Sequence, residues 1–274
     1  PEEPAALSLA LQKAEQTGAD IVIGTDPDAD RVGIAVRDPE GRMVLLNGNQ
    51  TASLLTYYIL KRRSELGTLG PGKYVVKTIV TTELITDICR SFGVPVYNVL
   101  TGFKYIAAVV KAREALGEEF ICGGEESYGF NVGQFVRDKD APVSCMMIAE
   151  CAAWAASKGL SMYGLLQKIY AEYGYRKEGL VSLVRKGIEG TREIASIMEG
   201  LRSNPPAQLC GSPVSRVVDY LKPELTGQPS SNVLQFFDEA GDVVSGRPSR
   251  PQPQIQFYFR AQRSDAGPQN EKPQ

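Results

Sequence analysis

The stretch "YVVKTIVTTELITDICRSFGVPVYNVLTGFKYIAAVVKAREALGEEFIC", residues 74–122, decides the fold class. Tyr74 to Val80 is a short apolar, β-branched run and predicts a strand, after which Thr82 is placed to cap a helix through Phe92. Pro95 to Leu100 predicts a second strand. The turn Thr101-Gly102-Phe103-Lys104 leads into a helix through Leu116, and Glu119 to Cys122 predicts a third strand. Strands alternating with helices at this spacing predict a mostly parallel sheet with flanking helices.

The same texture extends toward the N-terminus. "PEEPAALSLALQKAEQTGAD" predicts a helix with Leu7, Leu11 and Ala14 inward and Gly18 ending it. "ADIVIG" and "VGIAV" predict buried strands on either side of an acidic loop, and "NGNQTASLLTYYILKRR" predicts the next helix. A helix, strand, loop and strand with no earlier strand reads as the back half of an α/β domain. Toward the C-terminus, helices over about Cys145–Ser157 and Met162–Tyr173 close the unit.

After "YGYRKEGL" the texture changes. A helix over Thr191–Arg202 precedes a Pro/Ser/Gly-rich region from Asn204 to Ser231. The strands "SNVLQFFD" and "IQFYFRA" then flank a hairpin-like segment. The expected fold is therefore α/β, a mixed, mostly parallel sheet domain with flanking helices, plus a C-terminal α+β domain with an antiparallel sheet. Residues 263–274 are expected to be a disordered tail.

Composition excludes several functions. At 274 residues two domains are expected. A formal charge of −2 supplies no basic field, so neither nucleic acid nor an acidic membrane surface is expected as a partner. No run of 18 apolar residues and no basic start followed by an apolar core is present, which reads as cytoplasmic. The five cysteines form no C-x-x-C pair, which suits reduced buried thiols and disfavours zinc. Histidine is absent, which removes Ser-His-Asp triads, H-E-x-x-H sites and imidazole bases.

The loop in "GTDPDADRVGIAV", residues 24–36, carries Asp26, Asp28 and Asp30 on alternate positions. Alternate residues of an extended loop point one way, so the three carboxylates can converge on a cation, and all-oxygen ligation suits Mg²⁺ or Ca²⁺. An EF-hand needs glycine at its sixth position and glutamate at its twelfth, where this chain has Arg31 and Arg37. A polar turn whose aspartates cap amides is the other reading. Three like charges in alternation favour the metal. Mg²⁺ held by so few groups leaves positions for water and a phosphate, so a phosphoryl ligand is expected.

Other segments are weaker alone. "GGEESYGF" sets Glu125 and Ser127 after a strand end, where open α/β sheets bind ligands, although a tight turn with a capping glutamate reads equally well. Lys104 opens a helix, where a lysine is either solvated or holding an anion. "RDKDAP" adds Arg137 and Lys139, a run that alone reads as wet surface. "SGRPS" adds Arg247 and Ser249, which alone read as a solvated turn.

Together, "TDPDADR", "TGFK", "GEES" and "RPS", in that order, resemble the α-D-phosphohexomutase family, which includes phosphoglucomutases and phosphomannomutases. The resemblance runs over about residues 1–260, and "EESYGF…VRDKDA" is similar to its glucomutase-like branch. It implies residues 1–44 as the end of domain two with the metal loop, 45–176 as domain three with the sugar-binding loop, and 177–262 as domain four with the phosphate-binding loop.

The activity implied is that of an isomerase. A phosphoserine in the first domain phosphorylates a hexose phosphate, and the resulting bisphosphate turns over to return the other phosphoryl group. Asp26, Asp28 and Asp30 would hold Mg²⁺, and Arg31 would support the phosphoryl group. Lys104 would be an acid–base or phosphate contact. Glu125 and Ser127 would read sugar hydroxyls with Arg137 and Lys139 beside them, while Arg247 and Ser249 would grip the phosphate that is not reacting.

Two departures shape the expectation. The family's T-A-S-H serine motif has no counterpart, so these residues read as a C-terminal fragment, inactive without the N-terminal domains. The phosphate loop reads "RPSRPQPQ", with Arg250 and Pro251 where the family has Gly and Thr. That change motivates the alternative of a non-catalytic sugar-phosphate-binding protein of the same fold. A metal-dependent phosphatase with Asp26 as nucleophile is a third, weaker reading.

Overall fold

The computed structural model describes residues 1, 3–249 and 253–263. Arg250, Pro251 and Gln252 of the phosphate loop, and the tail from residue 264, lie outside the described residues. The backbone divides after Gly174 into two compact units, each with its own core.

The first unit opens with helix α1 (Ser8–Thr17), which ends on Gly18 at φ 67°, the left-handed conformation that glycine adopts without a Cβ clash. Strands β1 (Ile21–Thr25), β2 (Val32–Arg37) and β3 (Met43–Leu46) form an antiparallel meander in that order. Thr25 pairs with Val32, and the loop between them is too short for a parallel crossover. Helix α2 (Gly48–Glu65) begins on a reciprocal capping box between Asn47 and Gln50. Nearly every residue from Gly48 to Leu60 is buried. It is an interior helix, which is why its sequence carries no one-sided apolar stripe.

Then come β4 (Lys73–Thr78), α3 (Leu84–Ser91), β5 (Val96–Val99), α4 (Phe103–Glu114), β6 (Glu119–Gly124) and β7 (Phe130–Val132). The sheet order is β5-β4-β6-β7, with β4 parallel to both neighbours and β7 antiparallel to β6. The mixed, mostly parallel sheet is as expected. Tyr74, Val76 and Phe120 of this sheet pack on Phe103, Ile106 and Val110 of α4. Thr82 is not the formal cap of α3, but its hydroxyl accepts the Leu84 N–H at 3.2 Å. Helix α5 (Ala141–Ser157) starts four residues before the expected Cys145, because the Asp140 carboxylate accepts the Val143 N–H at 2.9 Å and Pro142 suits a first turn. Helix α6 (Met162–Tyr173) follows. No helix among the described residues is long and apolar enough to cross a membrane.

The second unit comprises β8 (Tyr175–Val184), α7 (Gly187–Ser203), β9 (Gln208–Leu209), β10 (Ser212–Asp219), α8 (Pro223–Thr226), β11 (Leu234–Asp238), β12 (Val243–Ser249) and β13 (Gln254–Arg263). All strands are antiparallel, in the order β8-β13-β12-β11-β10-β9. Ile194 and Met198 of α7 pack on Leu234, Phe236 and Ile255 of the sheet. The segment from Asn204 to Ser231 contains β9, β10 and α8. Two readings are corrected here. Arg247 and Ser249 sit inside β12, opposite Gln256 and Gln254, rather than in a turn. Arg263 is the last residue of β13, not the start of a tail.

Candidate active site

The loop Asp26 to Arg31 closes the β1–β2 hairpin, and its backbone is bent, not extended. The Ala29 N–H donates to the Asp26 carbonyl at 3.1 Å, and Ala29 is left-handed at φ 56°. Asp26 Oδ1 accepts the N–H groups of Asp30 (3.1 Å) and Arg31 (3.0 Å). Burial pushes the Asp26 carboxyl up, but those two amides, the Asp30 side chain and the Arg31 charge together hold it below the usual carboxylate value. Carboxylate oxygens of Asp26, Asp28 and Asp30 lie within 4.8 Å of one another. The three aspartates therefore converge through a turn, not through strand alternation. Three hard oxygen donors this close fit Mg²⁺ or Ca²⁺ and not zinc.

Three other segments of the first unit meet this loop. The N–H of Val32 donates to the Tyr128 carbonyl at 3.1 Å, and Arg31 bridges Gly129, so the metal loop and the "GEES" loop are backbone neighbours. The Ala141 N–H, at the start of α5, donates to the Ala29 carbonyl at 3.1 Å. Lys139 binds the segments together. Its ammonium pairs with Asp30 at 2.9 Å and Asp138 at 3.1 Å, and it lies 5.6 Å from the Phe103 ring centroid in "TGFK". Its stem lies over Gly129, where any Cβ would come within 2.3 Å of the lysine Cδ. Burial pushes the Lys139 ammonium down, but the two carboxylates outweigh it and hold it up. A lysine that reads as wet surface is thus mostly buried against the ligand set.

Glu125 is buried, and its Oε1 accepts the Gly102 N–H at 2.7 Å, joining the sugar loop to the turn at the start of α4. Ser127 is half-buried beside it, and Lys104 is exposed at the same end of α4. Arg137 is not brought to this centre. It pairs with Glu114 in the last turn of α4, the end remote from Lys104.

In the second unit, Arg247 Nε donates to Gln256 Oε1 at 3.2 Å, and the Tyr258 hydroxyl donates to the same oxygen at 3.1 Å. The neighbouring strand β13 therefore holds the arginine in place, and Ser249 ends β12 beyond it.

The sequence reading missed Ala29 and Tyr128. Both are non-glycine residues at positive φ, 56° and 69°, one in each loop of the site. Such backbone costs about 1–3 kcal/mol per residue and persists where surroundings over-determine it. It also missed Glu126, whose carboxylate turns inward to Thr78 and Thr81. Its place between two residues assigned to the ligand was the only available signal.

Residues 1–41 match the phosphoglucomutase/phosphomannomutase alpha/beta/alpha domain II family and residues 47–173 match its domain III. A phosphoglucomutase of Staphylococcus aureus (strain MRSA252) is 37% identical over 269 residues, covering 94% of this chain and 48% of that protein. The chain thus spans about half the length of the curated relatives it matches. The solved open form of parafusin, a phosphoglucomutase from Paramecium, superposes with a TM-score of 0.69 at 15% identity, covering 98% of this chain and 47% of that one. A phosphoglucomutase/phosphomannomutase family protein from Burkholderia thailandensis does so at 0.64 and 17%, covering 96% and 47%. These two show the shared fold. With the ordered motifs, the converging aspartates and two matching domain families in sequence, the chain belongs to the α-D-phosphohexomutase family.

Proposed function

We propose that the chain carries the metal, sugar and distal-phosphate elements of a phosphohexomutase, moving a phosphoryl group between the 1- and 6-positions of a hexose phosphate. The observation that carries this reading is the convergence of three carboxylates beside Lys139 and the sugar loop. When bound, Mg²⁺ supplies positive charge against a phosphoryl group. The chain's own residues do the rest. Asp26, Asp28 and Asp30 hold the cation, while Arg31 and Lys139 add positive charge at the phosphoryl position. Glu125 and Ser127 orient the sugar by its hydroxyls, and Lys104, exposed beside them, meets a phosphate or a hydroxyl proton. Such chemistry needs mainly positioning and electrostatic stabilisation, so the absence of histidine is no obstacle.

Residues 177–262 are assigned the role of the family's fourth domain, with Arg247 and Ser249 gripping the second phosphate. The donor phosphoserine is assigned to a part of the enzyme outside these 274 residues, which are expected not to turn over alone. The thiols, buried at Cys89, Cys122 and Cys151, suit a reducing compartment such as the cytoplasm.

Calorimetry tests the metal half of the reading. Mg²⁺ is expected to bind, and Asp28→Asn to weaken it sharply. Equal affinity in both proteins would sink the assignment. Measurable conversion of glucose 1-phosphate by the 274 residues alone would overturn the assignment of the donor serine elsewhere. The second reading, a non-catalytic sugar-phosphate binder, draws on Arg250 and Pro251 in the phosphate loop. Glucose 6-phosphate binding lost in Glu125→Ala, from a native protein of this length, would favour it.

A further inference from the structure

Glu126 lies between two residues assigned to the sugar, yet its side chain faces the sheet. Its Oε2 is 3.2 Å from the Thr78 hydroxyl and 3.3 Å from the Thr81 hydroxyl, and the two hydroxyls are 2.7 Å apart. Either hydroxyl can donate to the other, which leaves the second hydroxyl's proton in reach of the carboxylate. Thr78 and Thr81 are completely buried. Valine would fill the same volume without a polar atom to satisfy, so core packing alone does not account for a pair of hydroxyls there.

The turn bearing Thr81 is itself braced. Lys77, also completely buried, donates from Nζ to the Thr81 carbonyl at 3.3 Å and pairs with Glu83 at 3.1 Å. The Thr82 N–H donates to Asn49 Oδ1 at 3.0 Å. A buried ammonium is costly unless paired and hydrogen-bonded, so this one ties β4 rigidly to the turn after it. On the far side, the sugar-loop backbone presses on α2: a Cβ on Gly48 would lie 2.1 Å from the Glu126 carbonyl oxygen. Two residues along, Tyr128 holds its left-handed conformation.

We propose that Thr78 and Thr81, braced by Lys77, are positioning residues. They clamp the Glu126 carboxylate and thereby hold the strained loop from Gly124 to Gly129 in the pose that presents Glu125 and Ser127 to sugar hydroxyls. The assignment rests on the hexose phosphate reading for its ligand, but the clamp is a property of the loop itself. Released from it, Tyr128 relaxes toward negative φ and Ser127 turns away.

Two measurements on the whole chain test this. The first needs no ligand. Amide hydrogen exchange at residues 124–129 is expected to speed up in T78V/T81V and in E126A, and to return to the wild-type rate in T78S/T81S, which keeps both hydroxyls. Unchanged exchange in T78V/T81V would overturn the clamp. The second is calorimetry with glucose 6-phosphate, with its 3-deoxy analogue, and with Mg²⁺. T78V/T81V is expected to weaken glucose 6-phosphate about tenfold, the loss of one well-placed hydrogen bond, and to erase the preference over the deoxy analogue. T78S/T81S restores both, and Mg²⁺ affinity stays unchanged. Full retention of that preference in T78V/T81V would overturn the positioning role. Failure of the wild-type chain to bind glucose 6-phosphate would instead remove the hexose phosphate reading and the sugar-presenting half of this proposal, while the exchange rates still decide the clamp.

Discussion

Asp26 shows how one side chain can shape a site before any ligand arrives. Its carboxylate collects the amides of Asp30 and Arg31 and so folds the loop that brings its two fellow acids together. Because these contacts hold its pKa below the unfolded value, the stability it contributes is complete above the ordinary carboxylate range near 4. That contribution is lost as pH falls through the lowered folded value. Asp26→Asn keeps an acceptor oxygen but no longer titrates. Thermal unfolding in chelator between pH 6 and 3 is expected to show a shallower acid decline for the variant than for the wild type. Identical slopes would mean that Asp26 is not linked to folding. Gly48 is the other decisive single position, since a Cβ there would strike the Glu126 carbonyl. Gly48→Ala is expected to cost about 1–3 kcal/mol, the usual penalty of overpacking, read by urea denaturation.

Among the elements, α2 and β12 carry most of the argument. Helix α2 is buried nearly all round, so its stability comes from packing, but its first turn still has unpaired amides to satisfy. Asn47 and Gln50 do this reciprocally, with Gln50 N–H to Asn47 Oδ1 and Asn47 N–H to Gln50 Oε1 both at 2.9 Å. Asn47→Ala is expected to destabilise the first unit by about 1 kcal/mol, with a normal m-value. A change below a few tenths would show that water replaces the cap. Strand β12 makes the opposite point. Sequence texture reads Arg247-Pro248-Ser249 as a turn, because proline and serine are turn residues. The ladder places all three opposite β13, with Pro248 across from Ile255. The arginine is thus held by a neighbouring strand, a partner no local pattern reveals.

At the scale of the whole molecule, two units with separate cores imply two unfolding events, and the proposed cation belongs to only one of them. Calorimetric scans are expected to show two transitions. Mg²⁺ at 100 times its Kd should raise the first unit's stability by about 2.7 kcal/mol and leave the second unit's transition in place. A shift of both transitions together would mean that the units unfold as one. Two transitions that both ignore Mg²⁺ would speak against the metal site itself.

The sequence by itself determined the α/β alternation of β4 to β6, the helices α2 and α6, and the gathering of Asp26, Asp28 and Asp30 in one short loop. All of these are written in local periods and short spacings, which the backbone obeys wherever its neighbours lie. Only the tertiary structure decided that β1 and β2 form an antiparallel hairpin, that Lys139 closes on Asp30, and that Arg137 turns instead to Glu114. It alone turned Glu126 inward and set Ala29 and Tyr128 at positive φ. The hairpin joins near neighbours in the chain, but the other contacts join residues about 20 to 110 apart, and the energy that selects them exists only once the chain has packed.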